Sequence, residues 1–269
     1  LGDVYKRQLL TFARMAPIQA MTWGHPVTCG ADTMDAFISS RLIEPDGAQD
    51  HYAEKLTMLD NMPVYYFRPN KMEMRTRAFY GLPEDGNLYM CPQTLFKFHP
   101  DFDFALGEIL RRDPKGHIIM VDPVITNWKT LLVNRWTKAF PKEVDRIVFV
   151  KRQTREDFIR LMALGDAMID TFHFGGGNTI YEALLYGVPV VTWPSPFMRG
   201  RPASGIYKSM DMGEECATDH EDYVRKAVRL GTDKDFNQAM RKKIQERVDV
   251  IYENKNAVRD LENALLKLC

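Results

Sequence analysis

The stretch from Gly165 to Trp193, GDAMIDTFHFGGGNTIYEALLYGVPVVTW, constrains this chain more than any other. An apolar run, Ala167-Met168-Ile169, ends on Asp170-Thr171, as a buried strand does at the edge of a parallel sheet. Gly175, Gly176 and Gly177 follow with Asn178-Thr179. Apolar residues then recur at helical spacing from Ile180 to Tyr186, where Gly187 and Pro189 stop the helix. Val188 to Trp193 reads as a second short strand. Strand, glycine turn, helix and strand in this order can hold an anion. Glycines let the backbone approach a ligand, and the helix start offers unpaired amides and the positive end of its dipole. The same kind of turn joins strands to helices in folds that bind nothing. It matches neither the G-x-G-x-x-G fingerprint nor a Walker loop, so on spacing alone both the phosphate cradle and the plain connection stay open.

Charge decides what kind of anion site this could be. The chain carries 36 basic and 36 acidic residues, so general affinity for nucleic acid or for an acidic membrane is not expected, and any phosphate would be held locally. Cys29, Cys91, Cys216 and Cys269 are far apart, with no C-x-x-C and no Cys/His spacing suited to zinc. No metal site is therefore expected, and the thiols read as reduced and cytoplasmic. No apolar run reaches the ~18 residues of a membrane span, and no secretory leader is evident. Leu1 to Gln8, LGDVYKRQ, reads as translated adapter sequence and is expected to be a non-native leader.

Along the chain, Ile18 to Trp23 and Met34 to Ser39 read as strands, His51 to Leu59 as a short helix and Pro63 to Phe67 as a further strand. Arg68 to Arg77 reads as a crossing between lobes, with a boundary near residue 80. Strands are then expected at Asn87 to Cys91, His117 to Val121 and Arg146 to Val150. Helices are expected at Pro100 to Arg112, Ile125 to Phe140 and, behind a T-x-x-D capping box, Asp157 to Ala163. The tryptophans of the Ile125 helix read as core. After the glycine turn, helices are expected at Ala203 to Met210, Glu221 to Leu230, Lys234 to Tyr252 and Lys255 to Lys267. This alternation predicts a doubly wound parallel sheet, whose ligands sit beyond the carboxyl ends of the strands. Lys97, Gln153 to Arg155, Gly175 to Thr179, and Arg199 with Arg201 all follow strands and would converge on that edge. Lys97 alone reads as a solvated surface lysine before it reads as a phosphate ligand.

At this point PIQAMTWGHPVTCGADTMDAFISS, CPQTLFKFHPDFD, DTFHFGGGNTIYEALLYGVPVVTW and the following R-P-A-S-G together resemble the catalytic region of the O-linked N-acetylglucosamine transferases and their SPINDLY-like relatives. The resemblance runs from about Pro17 to Arg241. It implies a GT-B fold: a doubly wound, Rossmann-like donor-binding lobe at 81–252, a C-terminal helix at 253–269, and at 9–80 the end of a first Rossmann-like lobe with its linker. It further implies an inverting, metal-independent enzyme that takes a nucleotide-sugar donor, UDP-GlcNAc above all, and a Ser or Thr of a protein acceptor, with no cofactor beyond the co-substrate.

By position, the resemblance assigns Lys97 to the donor diphosphate, where it neutralises the leaving group and is the catalytic residue. Gly176, Gly177, Asn178 and Thr179 would hold the same phosphates. Glu182 would accept the ribose hydroxyls, although on its own it reads equally as a first-turn dipole partner. Gln153 and Arg155 would meet ribose and base, and Trp23, Gly24, Phe96 and Phe174 would line the sugar pocket. Two positions depart from the family. Gly177 stands where many animal members carry histidine, and Phe158 stands where another histidine approaches the base. The family's first-lobe histidines and superhelical repeats, which lie upstream of the region matched, are expected to be missing partners, leaving this piece inactive alone. The alternatives are a different donor, a UDP-hexose or GDP-fucose, a non-catalytic nucleotide-sugar-binding module, or a phosphate-binding α/β protein alike only in architecture.

Overall fold

A computed structural model describes residues 12–268. Two parallel sheets organise them. The smaller has the order β1-β2-β3, with β1 at Ala20–Thr22, β2 at Ala36–Ser40 and β3 at Lys55–Leu59. Its central strand β2 is buried throughout, and its two serines are satisfied locally: Ser39 Oγ donates to Glu44 at 2.6 Å and Ser40 Oγ accepts from the Leu42 amide at 3.1 Å. The larger sheet comprises β4 (Asn87–Met90), β5 (Gly116–Val121), β6 (Ile147–Val150), β7 (Ala167–Ile169) and β8 (Val190–Val191), in the order β6-β5-β4-β7-β8. Every pairing is parallel. The strand order reverses between β4 and β7, which opens a crevice at their carboxyl ends.

Helices α1 (Pro100–Arg112), α2 (Thr126–Ala139), α3 (Arg155–Ala163) and α4 (Asn178–Leu185) connect these strands. Pro100 opens α1 at a position where its missing N–H costs nothing, and Asp101 and Asp103 sit against the positive end of its dipole. Phe102, Ala105, Leu106, Ile109 and Leu110 then fall on one face and are all buried. The larger of these side chains each contribute on the order of 2 kcal/mol before entropy is counted. Asp103 fixes α2 against α1, accepting from Arg135 Nε at 2.7 Å and from the indole of the fully buried Trp136 at 2.8 Å. The capping box forms, with Thr154 Oγ1 accepting from the Asp157 amide at 3.2 Å, and α3 starts at Arg155.

Four local expectations are corrected. Residues 51–59 do not form a helix: a short 3-10 turn, Ala48–His51, leads into β3. The side chain of Gln49 bonds the carbonyls of Tyr52 and Glu54 and the amide of Leu56, while Glu54 accepts from Thr28 and Cys29, so these backbone groups are committed before a helix can close. Pro63 to Phe67 pairs with no strand among the described residues. It is an extended crossing in which Tyr66 stacks on Tyr181, centroids 4.3 Å apart and planes at 4°, and the Tyr66 carbonyl accepts from the Glu253 amide. The strand expected over 188–193 contracts to Val190–Val191, because beyond it the Thr192 carbonyl accepts from the Ala217 amide and the Trp193 indole turns to the Thr218 carbonyl. Trp128 is only partly buried, unlike Trp136.

After β8 come α5 (Pro202–Ser209), α6 (His220–Thr232) and α7 (Lys234–Arg247). A 3-10 turn, Val248–Ile251, then redirects the chain into α8 (Lys255–Leu268). This last helix leaves the larger sheet and covers the smaller one, where Ala264 and Leu261 meet Ile38 and Leu59. Asp260 anchors it by accepting from the backbone and side-chain amides of Asn61 at 2.9 and 2.7 Å. Among the described residues no helix is long and apolar enough to cross a membrane.

Candidate functional site

The loops after β4 and β7 meet at the crevice where the strand order reverses. Asp170, the first residue past β7, is buried; it accepts from the Gly176 amide at 2.7 Å and from Thr192 Oγ1 at 3.1 Å. Burial raises its pKa from 3.8 to about 6, against the opposing pull of the Gly176 amide, the Lys97 ammonium and the Thr192 hydroxyl. The carboxylate thus bends the glycine turn around itself, and there is no room there for side chains. A Cβ on Gly175 would lie 2.7 Å from Asp170 Oδ2, and one on Gly176 would lie 2.5 Å from Gln93 Nε2. Gly177 faces open space and stands as the N-cap of α4. Beyond it the amides of Gly177, Asn178 and Thr179 bond no protein group among the described residues. They are the unpaired donors of a helix start.

Lys97 ends a 3-10 turn, Leu95–Lys97. Its ammonium donates to the Gly175 carbonyl at 2.7 Å and to Gln93 Oε1 at 3.1 Å, and stands 4.4 Å from the centre of the Phe174 ring. It is a half-buried cation held at the turn, not a solvated one. Burial lowers its pKa, with Asp170 pulling the other way. The buried amide of Gln93 joins the parts: its oxygen accepts a hydrogen bond from the Lys97 ammonium and its nitrogen donates to Thr179 Oγ1 at 3.2 Å. Two of the three ammonium hydrogens are thereby used, leaving one donor for a ligand.

One turn further along α4, Glu182 is 6% exposed, with its Oε1 3.7 Å from Arg155 Nε and 3.5 Å from the Tyr66 hydroxyl. Burial raises its pKa and Arg155 opposes the shift. Arg155 is itself exposed, so it supplies a solvent-facing cation beside Glu182. Gln153 sits in the loop before α3 with its side chain turned back on the Lys151 carbonyl at 2.7 Å. Phe96 and Phe174 meet edge to face at 6.0 Å, and Phe96 also meets Trp128 at 5.9 Å. Trp23 and Gly24 belong to the edge of the smaller sheet. The Trp23 indole donates to the Pro63 carbonyl at 2.9 Å, and no hydrogen bond or ring contact joins Trp23 or Gly24 to Phe96 or Phe174. Arg199 serves the turn through its carbonyl, which accepts from the Gly175 amide at 2.9 Å, and Arg201 turns inward to the Ser195 carbonyl.

Asp170, Gln93 and Tyr66 carry this geometry without having been singled out from the sequence. For Asp170 a signal existed, an acid at a strand end directly before a glycine turn. Gln93 and Tyr66 offered none. Beside the turn, a cavity of about 350 Å³ opens among the carboxyl ends of β4, β5 and β6, lined by Gln93, Val121, Asp122, Ile125, Trp128 and Arg152 among others. A larger one, about 600 Å³, lies between β3 and the start of α8 and touches none of the candidate residues.

Two parallel α/β units, the second with a cation and a free helix start at its strand-order reversal, have the architecture of the GT-B glycosyltransferases. The chain belongs to glycosyl transferase family 41, whose family model matches residues 6–67 and 66–261. It is 27% identical over 94% of its length to the probable UDP-N-acetylglucosamine–peptide N-acetylglucosaminyltransferase SEC of Arabidopsis thaliana, covering 27% of that protein. It is also 27% identical, over 81% of its length, to the UDP-glucose:protein N-beta-glucosyltransferase of Actinobacillus pleuropneumoniae serotype 5b (strain L20), covering 35% of it. In fold it resembles a K341M mutant of the Thermobaculum terrenum O-GlcNAc transferase, with a TM-score of 0.83 at 22% identity over 97% of this chain and 50% of that one. The chain thus spans about a quarter to a third of those two relatives and half of the solved structure.

Proposed function

We propose that this chain is the donor-binding part of an inverting glycosyltransferase that holds UDP-GlcNAc for transfer to Ser or Thr of a protein. The observation that carries the proposal is the joint made by Gln93, which ties the Lys97 ammonium to Thr179 beside three unpaired amides at the start of α4. A diphosphate there would receive the third Lys97 hydrogen and the amides of Gly177, Asn178 and Thr179, with Gly176 setting the turn. The acceptor hydroxyl gives its proton to a base on the acceptor side of the cleft as its oxygen attacks the sugar C1, the C1–O bond to phosphate breaks, and the electron pair leaves on the diphosphate. Lys97 stabilises the charge that develops, so the step is routed through no metal ion. Glu182 accepts the ribose hydroxyls, Gln153 and Arg155 face ribose and base, and Phe96 and Phe174 flank the sugar, with Trp23 and Gly24 across the cleft. The activity for which the Arabidopsis relative is named supports this donor and a peptide acceptor.

A UDP-hexose is the second reading. The Actinobacillus relative, named for UDP-glucose, is as similar in identity as the plant one, and Gly177 leaves open space beside the phosphates. Calorimetric titration with UDP, GDP, UDP-GlcNAc and UDP-glucose tests both readings. Preference for uridine is expected, and the tighter of the two sugars names the donor. No binding of either diphosphate would overturn the donor-lobe assignment. Transfer to a protein acceptor is expected of a longer chain that includes the first lobe and not of this one.

A further inference from the structure

Beside the glycine turn, and apart from every donor-binding residue assigned above, two histidines converge on one carboxylate. His173 Nε2 lies 2.8 Å and His99 Nδ1 3.3 Å from Asp101 Oδ2, and the three ligand atoms all fall within 4.8 Å of one another. The rings of His99 and His173 meet edge to face at 4.7 Å. His99 Nδ1 is also the N-cap acceptor for the Asp101 amide at 3.3 Å. That bond marks Nδ1 as the unprotonated nitrogen of His99, and its one lone pair becomes available to a cation once the long 3.3 Å amide bond is given up.

We propose that His99, Asp101 and His173 form a binding site for a divalent transition metal ion of the zinc class. Two neutral imidazoles and one carboxylate are a donor set that zinc and its neighbours prefer and magnesium does not. With metal–ligand bonds of about 2.0–2.2 Å, tetrahedral neighbours stand roughly 3.4 Å apart. The two distances to Asp101 Oδ2, 2.8 and 3.3 Å, both fall short of that value, so the ligands must spread by a few tenths of an ångström, and the side chains of His99 and Asp101 are 52% and 47% exposed, free to adjust and open to entry of the ion. Solvent would fill the fourth position. Such an ion ties the loop after β4 to the loop after β7, two residues from Lys97 on one side and two from Gly175 on the other. Its role is to fix the cradle; it does not touch the donor. Sequence spacing hid the site, because His173 stands 72 positions from Asp101.

The metal-stripped chain titrated with zinc chloride by calorimetry, and with cobalt chloride by visible absorption, tests the assignment. One equivalent is expected at micromolar affinity. The cobalt spectrum should show tetrahedral d–d bands without a thiolate charge-transfer band, and zinc should raise the melting temperature of the wild type. His173→Ala and Asp101→Asn should each weaken binding at least tenfold and abolish the thermal shift while melting normally without metal. His99→Gln gives a third, independent reading should one of them fold poorly. Absence of saturable binding, a thiolate band, or affinity unchanged in His173→Ala would overturn it.

Discussion

Lys97 and Gly175 stand 78 positions apart in the chain and 2.7 Å apart in space, the ammonium of one donating to the carbonyl of the other. The cation is thereby placed by the backbone of the turn it serves. If it binds the diphosphate, Lys97→Ala should weaken UDP binding by roughly 1.5 to 3 kcal/mol, about tenfold to a hundredfold or more, as loss of a charge-assisted bond does. Calorimetry on the variant, with its melt as control, checks this; equal affinity would remove Lys97 from the site.

Gln93 is 4% exposed and bonded at both ends of its amide. Gln93→Leu keeps the volume and removes both bonds. It should lower stability by about 1–2 kcal/mol, the cost of leaving buried partners short. It should also loosen UDP, because neither Lys97 nor Thr179 is then held. A variant that melts earlier but binds UDP as tightly as the wild type would confine Gln93 to a structural role.

Neighbouring glycines should respond differently. A Cβ on Gly176 would meet Gln93 Nε2 at 2.5 Å and Thr179 Oγ1 at 2.7 Å, whereas one on Gly177 meets nothing within 4 Å. Gly176→Ala should therefore cost about 1–3 kcal/mol, as overpacking does, and Gly177→Ala clearly less. Chemical denaturation of the two variants side by side decides it, and equal losses would contradict the geometry.

Asp170 gives the fold a pH dependence with a defined sign. Its folded pKa of about 6 lies above the model-compound value of 3.8. The folded chain therefore binds more protons than the unfolded one between those values, and stability falls as pH rises through that window. The wild type should lose a few kcal/mol between about pH 4 and pH 6 relative to Asp170→Asn, which keeps an acceptor for the Gly176 amide but has no proton to lose. Denaturant titrations of both proteins across that range measure the difference. A constant gap between the two would show that Asp170 does not titrate there.

Much of the larger unit was legible because its elements announce themselves locally. Pro100, the first-turn acids and the buried stripe from Phe102 to Leu110 define α1 residue by residue, and the T-x-x-D box opens α3. What was not legible depends on partners remote in sequence. Lys55 to Leu59 becomes a strand because β2 is there to pair with it. The glycines and Lys97 stood out by residue type. Gln93 did not, since a glutamine after a strand becomes a joint only when Lys97 and Thr179 arrive on either side. The metal-type cluster was invisible for the same reason. Its ligands come from two loops that the reversal of strand order brings together.

Helix α8 closes a mechanical circuit. The chain crosses from the smaller sheet to the larger near Tyr66 and returns near Tyr252, and the two crossings touch, with the Glu253 amide on the Tyr66 carbonyl at 2.9 Å. The units also meet away from the line of these crossings, where Lys208 Nζ donates to the Leu42 carbonyl at 3.3 Å and the His51 and Phe197 rings lie 4.9 Å apart, so the crossings are one of several ties between them. Tyr66 sits on that line and lies against Glu182. If Glu182 accepts a ribose, the nucleotide rests directly against the crossing between the two sheets, with Tyr66 as the shared neighbour.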